Sequence, residues 1–247
     1  MTTSDLKSFH YLENGEVSFS MFDTIKSNKK LDCGSYKISF SEYPDNRVVL
    51  KMDRDIETVK IHNFSDKQKI DDLFNSFFEE KIIKKISALG FYHKVGILLY
   101  GKEGTGKSTI LKHYYNKAIL EKNTIVFHNN CSNSNISKCW DFIMNVRRVQ
   151  PNPIIVVFEE FDDQIQNRNE SFLKTVLDGN MSIDNCMFMA TTNYIDAIPD
   201  AMKNRPSRLK YVLNIEGIQN KNDVYVVIYK MLAGLFSDED INVFANE

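Results

Sequence analysis

Residues 96–108 decide the fold and read Gly96-Ile97-Leu98-Leu99-Tyr100-Gly101-Lys102-Glu103-Gly104-Thr105-Gly106-Lys107-Ser108. The last eight residues satisfy the pattern G-x-x-x-x-G-K-[ST], in which glycines let backbone N–H groups approach phosphate oxygens. An apolar, strand-like run precedes the pattern and a helical pattern begins at Lys107. A helix that starts at such a loop adds partial positive charge to the site. The stretch therefore predicts a phosphate-binding loop, whereas the alternative is a glycine-rich turn with an exposed lysine.

The residues of this loop have separate expected roles. Lys107 should reach the β- and γ-phosphates of a nucleotide, and Ser108 should bind the Mg²⁺ that accompanies them. The predicted cofactors are ATP and Mg²⁺. The residues expected to surround the nucleotide are Gly101, Lys102, Glu103, Gly104, Thr105, Gly106, Lys107, Ser108 and Thr109.

From residue 94 onward, apolar strand-like runs alternate with helical patterns, which predicts a doubly wound parallel α/β sheet. The predicted sheet has five strands, at 96–100, 124–128, 154–158, 186–191 and 210–214. We expect three regions: a small β-containing N-terminal region over 1–63, a P-loop α/β core over 64–215, and a small, truncated helical lid over 216–247.

The N-terminal region shows period-two alternation at Tyr36–Phe40, and after a turn Arg47–Met52 is interpreted as the returning strand. This pattern predicts a β-hairpin, and residues 57–62 look like a third strand. A helical region is then expected from about residue 66 to residue 89, ended by Gly90.

A second chemical feature is the apolar run Ile154–Phe158, which ends in Glu159 and Glu160. The carboxyl ends of parallel strands meet at the edge of a sheet where ligands bind. We therefore expect Glu159 to support the metal ion and Glu160 to orient or deprotonate the attacking water. The alternative is an acidic, solvated helix start.

Two later features would complete a site for hydrolysis. Asn193 follows the strand at 186–191 and could polarise the γ-phosphate and hold the attacking water. Arg205 and Arg208 precede the last strand, and their spacing suggests fingers that stabilise the γ-phosphate of a neighbouring subunit. The plainer alternatives are a turn asparagine and surface arginines. The expected catalytic residues are thus Glu160, Lys107, Asn193, Arg205 and Arg208.

Taken in this order, these elements resemble the AAA family of ATPases within the wider AAA+ group. Residues 198–208 are similar to the second region of homology of that family, and Leu177-Asp178-Gly179 resembles its intersubunit signalling segment. The likeness is greatest to the branch of the mitochondrial Rieske-assembly AAA protein and its small bacterial and phage relatives. It rests there on residues 96–101, on residues 188–193 and on Glu159. The branch often has aspartate where this chain has Glu160.

The resemblance implies an ATP-driven homo-oligomer, usually a hexamer, that remodels or assembles a protein client. The chain differs from family translocases because residues 129–137 contain no aromatic–hydrophobic–glycine triplet for gripping a threaded chain. Ile136 and Trp140 are the remaining candidates for pore contacts, although Trp140 also fits the core. No arginine follows Arg208, so the lid supplies no sensor arginine in cis.

Two other functions stay open. One is a nucleic-acid accessory ATPase of the helicase- or clamp-loader type, for which Arg147-Arg148, Lys203 and Lys210 are the motivation. The other is an ATP-gated switch with little turnover. Fluorescence anisotropy with DNA at low and high salt separates the first from a protein remodeller, because binding to phosphates weakens with salt.

The composition of the 247-residue chain limits its expected partners and its expected location in the cell. A net charge of −2 argues against a chain built mainly to coat nucleic acid. No apolar run reaches the length of a membrane span, so no membrane contact is expected. The four cysteines lack the close spacing of a zinc site and are expected to be reduced thiols. The expected location is the cytoplasm, which for a phage-encoded protein would be that of its host.

Overall fold

A computed structural model describes twelve parts of the chain: residues 8–11, 16–20, 30–41, 47–53, 55–61, 64, 66–129, 135–165, 170–178, 181–203, 205 and 207–217. Most of the predicted lid, the turn of the predicted hairpin, Asn204 and Pro206 lie outside the described residues. No helix in the described parts is both long and apolar enough to cross a membrane.

The described elements alternate in the predicted order after residue 94. The strands are β1 (Ser8–Tyr11), β2 (Glu16–Ser20), β3 (Gly34–Ser41), β4 (Arg47–Asp53), β5 (Lys94–Tyr100), β6 (Ile125–Asn129), β7 (Ile154–Phe158), β8 (Cys186–Thr192) and β9 (Tyr211–Asn214). The helices are α1 (Lys67–Phe77), α2 (Glu80–Ala88), α3 (Lys107–Lys122), α4 (Ile136–Val149), α5 (Phe161–Gln164), α6 (Glu170–Asp178) and α7 (Asp200–Lys203), with a 3-10 turn at Ile195–Ala197.

The nine strands of the described residues form one sheet in the order β1-β2-β4-β3-β6-β7-β8-β5-β9. The five predicted core strands lie in the order β6-β7-β8-β5-β9 and pair in parallel, which confirms the doubly wound parallel architecture. The connection that leaves β5 crosses to β6 on one side, and the connection that leaves β8 crosses to β9 on the other. Because β5 and β8 are neighbours, this reversal opens a crevice at their carboxyl ends.

Two apolar clusters cover the two faces of the sheet, because successive side chains of a strand point to opposite faces. Leu98 of β5 belongs to the cluster that contains the buried faces of α4 and α6. Its neighbours Ile97 and Leu99 belong to the cluster that contains α1 and α3. The central strands β7 and β8 are buried along their whole length, as expected for a sheet covered by helices on both faces.

The predicted hairpin is present, and it continues the core sheet. Strands β3 and β4 pair antiparallel from Ser35–Asp53 to Ser41–Arg47. Strand β3 also pairs in parallel with β6, from Gly34–Ile125 to Ile38–Asn129, so it adds a sixth parallel strand. Strands β1 and β2 extend the antiparallel end. The proposed division at residue 63 stays a prediction, but the hairpin before it is hydrogen-bonded to the core.

One prediction for the segment between the hairpin and β5 is wrong, and another is confirmed. Residues 57–61 form no strand and lie along α3, where the carbonyl of Glu57 accepts from Asn116 and that of Val59 accepts from His113. The helical region expected over 66–89 is confirmed, and it consists of two helices, α1 and α2. The chain turns at Phe78, and Phe77 is thereby buried and stacks on His93 at 4.6 Å between ring centroids.

The expectation of four reduced cysteines is also wrong. Cys139 is disulfide-bonded, whereas Cys33 and Cys186 are free thiols, and Cys131 lies outside the described residues. The spacing of cysteines along a chain indicates zinc sites, in which the ligands are close in sequence. A disulfide depends on the distance between two Cα atoms in the fold, which sequence spacing does not give.

Candidate functional site

The glycine loop between β5 and α3 has the backbone geometry that its glycines allow. Gly104 and Gly106 have φ values of +75° and +88°, a left-handed conformation that favours glycine, and Gly106 immediately precedes α3. A Cβ on Gly101 would lie 2.3 Å from the carbonyl oxygen of Ile215, which follows β9. Glycines at these positions are therefore required by the fold as well as by any phosphate ligand.

Lys107 is held within the loop rather than extended into solvent. Its residue is only 7% exposed, and its ammonium donates to the carbonyl oxygens of Gly101 at 2.8 Å and Lys102 at 2.7 Å. Thr105 also donates to the Lys102 carbonyl, at 2.9 Å. Burial lowers the pKa of Lys107, while the nearby carboxylates of Glu103 and Asp162 oppose that shift. A desolvated ammonium surrounded by loop carbonyls is suited to exchange those contacts for phosphate oxygens.

A cavity of about 360 Å³ lies over the loop at the carboxyl ends of the strands. That volume is within the range of small-molecule sites in proteins. The structure brings together nine of the predicted site residues there. The cavity is lined by Glu103, Gly104, Gly106, Lys107, Ser108, Thr109, Glu159, Glu160, Thr191, Thr192 and Asn193.

The register of the sheet explains why the separate motifs meet. Tyr100, the last residue of β5, lies opposite Thr192, and Phe158, the last residue of β7, lies opposite Ala190. The glycine loop, the acidic pair and Asn193 therefore leave the sheet at nearly the same level. Three segments that are far apart in sequence thus border one crevice.

Glu159 and Ser108 face one another across this crevice. The Ser108 hydroxyl donates to Oε2 of Glu159 at 3.3 Å. A hydroxyl and a carboxylate oxygen at this separation are hard oxygen donors, which suit Mg²⁺ or the waters around it. Ser108 and Glu159 are therefore the residues that could hold the metal ion that the loop pattern predicts.

Glu160 has an unusual backbone conformation. Its φ and ψ are 50° and 55°, a left-handed conformation that is uncommon for residues other than glycine and asparagine. Its N–H donates to Oγ1 of Thr191 at 3.4 Å, and α5 begins at the next residue. The turn ends β7 abruptly and leaves the Glu160 side chain exposed at the cavity. Local strain of this kind occurs often at functional sites.

Sequence reasoning missed two residues that support this site. Thr192, which is 1% exposed, donates to Oδ1 of Asp162 at 2.6 Å and accepts the N–H of Tyr194 at 3.0 Å. Asp162 lies in α5, which Glu160 precedes, and Thr192 directly precedes Asn193. The pair therefore joins the two chain segments that carry Glu160 and Asn193. An available signal was the third acidic residue of Glu159-Glu160-Phe161-Asp162.

The two predicted finger arginines, Arg205 and Arg208, are not among the residues that line this cavity. A Cβ on Gly96, near the start of β5, would lie 2.1 Å from the carbonyl oxygen of Arg208. Gly101 follows Gly96 by five positions, which is about 16 Å at the rise of a parallel strand. Arg205 and Arg208 therefore border the opposite edge of the sheet from the cavity of their own chain.

Asp178, at the end of α6, binds both arginines. Arg205 Nη1 and Arg208 Nε each lie 3.4 Å from Oδ2 of Asp178. The Arg208 side chain is 8% exposed and also donates to the carbonyl of Ala201, whereas the Arg205 side chain is 60% exposed. A hydrogen bond from Ser207, together with these two arginines, lowers the pKa of Asp178. Arg205 is thus the more accessible of the two candidates.

Ile136 and Trp140, the candidates for pore contacts, are both buried against the core. Trp140 stacks on Phe188 at 6.0 Å between ring centroids, and its Nε1 donates to the carbonyl of Met181 at 2.9 Å. Neither side chain is therefore available to grip a threaded chain in this conformation.

Residues 97–216 match the family model described as ATPase family associated with various cellular activities (AAA). The match begins in β5, three residues after its start, and ends two residues after β9. It therefore includes the glycine loop, Glu159, Glu160, Asn193 and both arginines. No curated protein matches the chain.

Proposed function

We propose, on the premise that residues 97–216 are an AAA ATPase domain, that the protein binds Mg·ATP, hydrolyses it, and acts as a homo-oligomer that remodels or assembles a protein target. The observation that carries this proposal is the convergence of three motifs on one cavity. Lys107 and Ser108 begin α3 at the end of the glycine loop, Glu159 and Glu160 follow β7, and Asn193 follows β8. This combination supports binding of a phosphate chain, a metal ion and an attacking water in one place.

Each residue has a role in the proposed reaction. Lys107 binds the β- and γ-phosphates in place of its loop carbonyls, and Ser108 and Glu159 hold Mg²⁺ or its waters. Glu160 accepts a proton from the attacking water or orients it, and Asn193 holds that water near the γ-phosphate. Water adds to the γ-phosphorus as its bond to the bridging oxygen breaks, which gives ADP and phosphate. Magnesium supplies charge stabilisation when it is bound.

Arg205 acts on the cavity of a neighbouring subunit in this proposal. Its separation from its own cavity and its exposure support this role, because a guanidinium that does not reach the cis site is available to a second copy. Arginine fingers contribute factors of about a thousand or more to phosphoryl transfer. We therefore expect Arg205→Ala to lower turnover by about a thousandfold and to leave Mg·ATP affinity within about threefold.

A mixing experiment tests this arrangement directly. Glu160→Gln and Arg205→Ala subunits should each have little ATPase activity alone. When the two are mixed, an intact Arg205 of the first can serve the intact Glu160 of the second, so activity should return. A mixture of Arg205→Ala with the double variant Glu160→Gln/Arg205→Ala is the control and should stay inactive. Full turnover of Arg205→Ala as a monomer would contradict the trans-finger role.

The protein-remodelling proposal also predicts a specific reagent for finding the client. Glu160→Gln should retain ATP without hydrolysing it, so that the assembly stays bound to its target. Affinity capture with this variant, with Lys107→Met as the nucleotide-free control, should enrich a protein partner. A wild-type turnover no higher than that of Glu160→Gln would favour the ATP-gated switch.

The nucleic-acid alternative has less support among the described residues. Arg147 donates to the carbonyl of Asn152 at 2.7 Å, and Lys203 donates to the carbonyl of Ile195 and pairs with Asp200. These contacts occupy two of the four basic residues that motivated it. Salt-sensitive binding of single- or double-stranded DNA in an anisotropy titration would restore this alternative.

A further inference from the structure

The glycine loop carries an acidic residue, Glu103, inside the segment that is proposed to surround phosphates. Glu103 lines the same cavity as Lys107 and Ser108. Together with Glu159 and Glu160 it brings the described lining to three carboxylates against one ammonium. The two carboxylates that end β7 have proposed roles at the metal ion and the attacking water. Glu103 has none of these roles and requires a separate explanation.

The position of Glu103 makes its charge act on whatever binds the loop. The next residue is Gly104, and Gly106 and Lys107 follow, so Glu103 lies in the turn that lines the cavity. Its carboxylate is also close enough to act on the buried ammonium of Lys107, where it favours the charged form. A fixed negative charge here opposes the approach of phosphate.

The cost of this opposition depends on the charge of the ligand. Fully ionised ATP carries about four negative charges, and its magnesium complex carries about two. Because Coulomb energy is proportional to charge, Glu103 penalises the metal-free form about twice as much in free energy. Doubling a free energy squares the corresponding fold-change in affinity. The fold-loss of affinity that Glu103 causes for metal-free ATP is therefore about the square of the fold-loss for the magnesium complex.

We infer that Glu103 makes the glycine loop discriminate against metal-free nucleotide, so that this residue sets the preference of the site for the magnesium complex of ATP. The inference rests on the proposed nucleotide site and adds a specificity-determining residue to it. Repulsion by Glu103 would weaken binding of metal-free ATP to the loop. Bound Mg²⁺, which also takes part in the reaction, would reduce that repulsion.

Calorimetric titration with ATP, in excess Mg²⁺ and separately in EDTA, tests the inference. Glu103→Gln removes the charge and keeps the shape of the side chain. It should tighten binding of the magnesium complex about threefold and of metal-free ATP about tenfold, so that the preference for the complex falls about threefold. The gain for metal-free ATP should shrink at 0.5 M salt, because exposed charges are then screened over about 4 Å.

Two further variants separate charge from other effects. Glu103→Asp retains the carboxylate and should keep the wild-type preference. Glu121→Gln makes the same change in net charge near the far end of α3 and should leave both affinities unchanged. An unchanged preference in Glu103→Gln, or an equal change in Glu121→Gln, would overturn the inference while leaving the nucleotide site intact. If the wild type binds no nucleotide with Mg²⁺, the proposed function itself fails.

Discussion

Thr192→Val tests whether the contact between β8 and α5 supports the site. Valine keeps the shape of threonine but loses the hydroxyl that donates to Asp162 at 2.6 Å and accepts from Tyr194 at 3.0 Å. Thr192 is 1% exposed and Asp162 is 5% exposed, so water does not replace the lost donor. The variant therefore leaves a buried carboxylate oxygen without this partner.

The expected loss of stability follows from these two hydrogen bonds. A bond to a charged acceptor contributes about 1.5–3 kcal/mol, and a neutral one contributes about 0.5–1.5 kcal/mol. We expect the free energy of unfolding to fall by roughly 2–4 kcal/mol. For a chain of this size, that change lowers the midpoint of thermal unfolding by roughly 5–15 °C.

Catalysis should respond differently from binding in the same variant. The glycine loop is untouched, so affinity for Mg·ATP should stay within about threefold of the wild type. Glu160 and Asn193 lose their shared support, and small displacements of reacting groups can cost about a hundredfold in rate. We expect turnover to fall at least about tenfold, as measured by phosphate release at saturating ATP.

Thr192→Ser is the matched control, because it keeps the hydroxyl and loses only a methyl group. It should remain within about 1.5 kcal/mol of the wild type and retain most of the turnover. Urea unfolding and calorimetric titration of all three proteins would decide the matter. A Thr192→Val protein within about 0.5 kcal/mol of the wild type would refute the reasoning, as would a serine variant that loses as much as the valine variant.

Three other variants test separate parts of the structure. Burial, assisted by Lys37 and opposed by Asp53, lowers the pKa of His128 from 6.5 to about 4, so the unfolded chain binds a proton that the folded chain does not. Between pH 6.5 and 4, urea titrations should show a loss of about 3 kcal/mol in the wild type that is absent in His128→Gln. The lowered pKa of Asp178 has a similar consequence: its stabilisation is complete above about pH 4 and is lost as the pH falls through the folded value. The stability difference between wild type and Asp178→Asn should therefore be largest near neutral pH and shrink in acid, and a constant difference would contradict this. Gly96→Ala would place a methyl group 2.1 Å from the backbone carbonyl oxygen of Arg208. We therefore expect calorimetry to show that the free energy of unfolding falls by about 1–3 kcal/mol or more.

The parallel core was predictable because its signals are local. Each strand from β5 to β9 is an apolar run bounded by polar or glycine-containing segments, and the glycine loop fixes the direction of the first crossover. Glu159 and Glu160 were identifiable since they end a strand, and parallel strands end at a common edge. Spacing along the chain was sufficient for these features.

The missed features depend on contacts between distant parts of the chain. Alternation at Tyr36–Phe40 predicts a strand but does not say which edge it joins, so the pairing of β3 with β6 was not predictable. Residues 57–61 alternate like a strand, yet their carbonyls bind side chains of α3. The partnerships of Asp162 with Thr192 and of Asp178 with the two arginines likewise exist only after folding.

The parallel pairing of β3 with β6 has a mechanical consequence. The hairpin is two strands away from β7, a lateral distance of about 10 Å, and ladder hydrogen bonds join it to β6 and β6 to β7. A pull on the hairpin along its strands would load these ladders in shear, and the load would reach β7, which Glu159 directly follows. The hairpin is therefore mechanically coupled to the site through the sheet, so that tension on the hairpin would displace the Glu159 carboxylate.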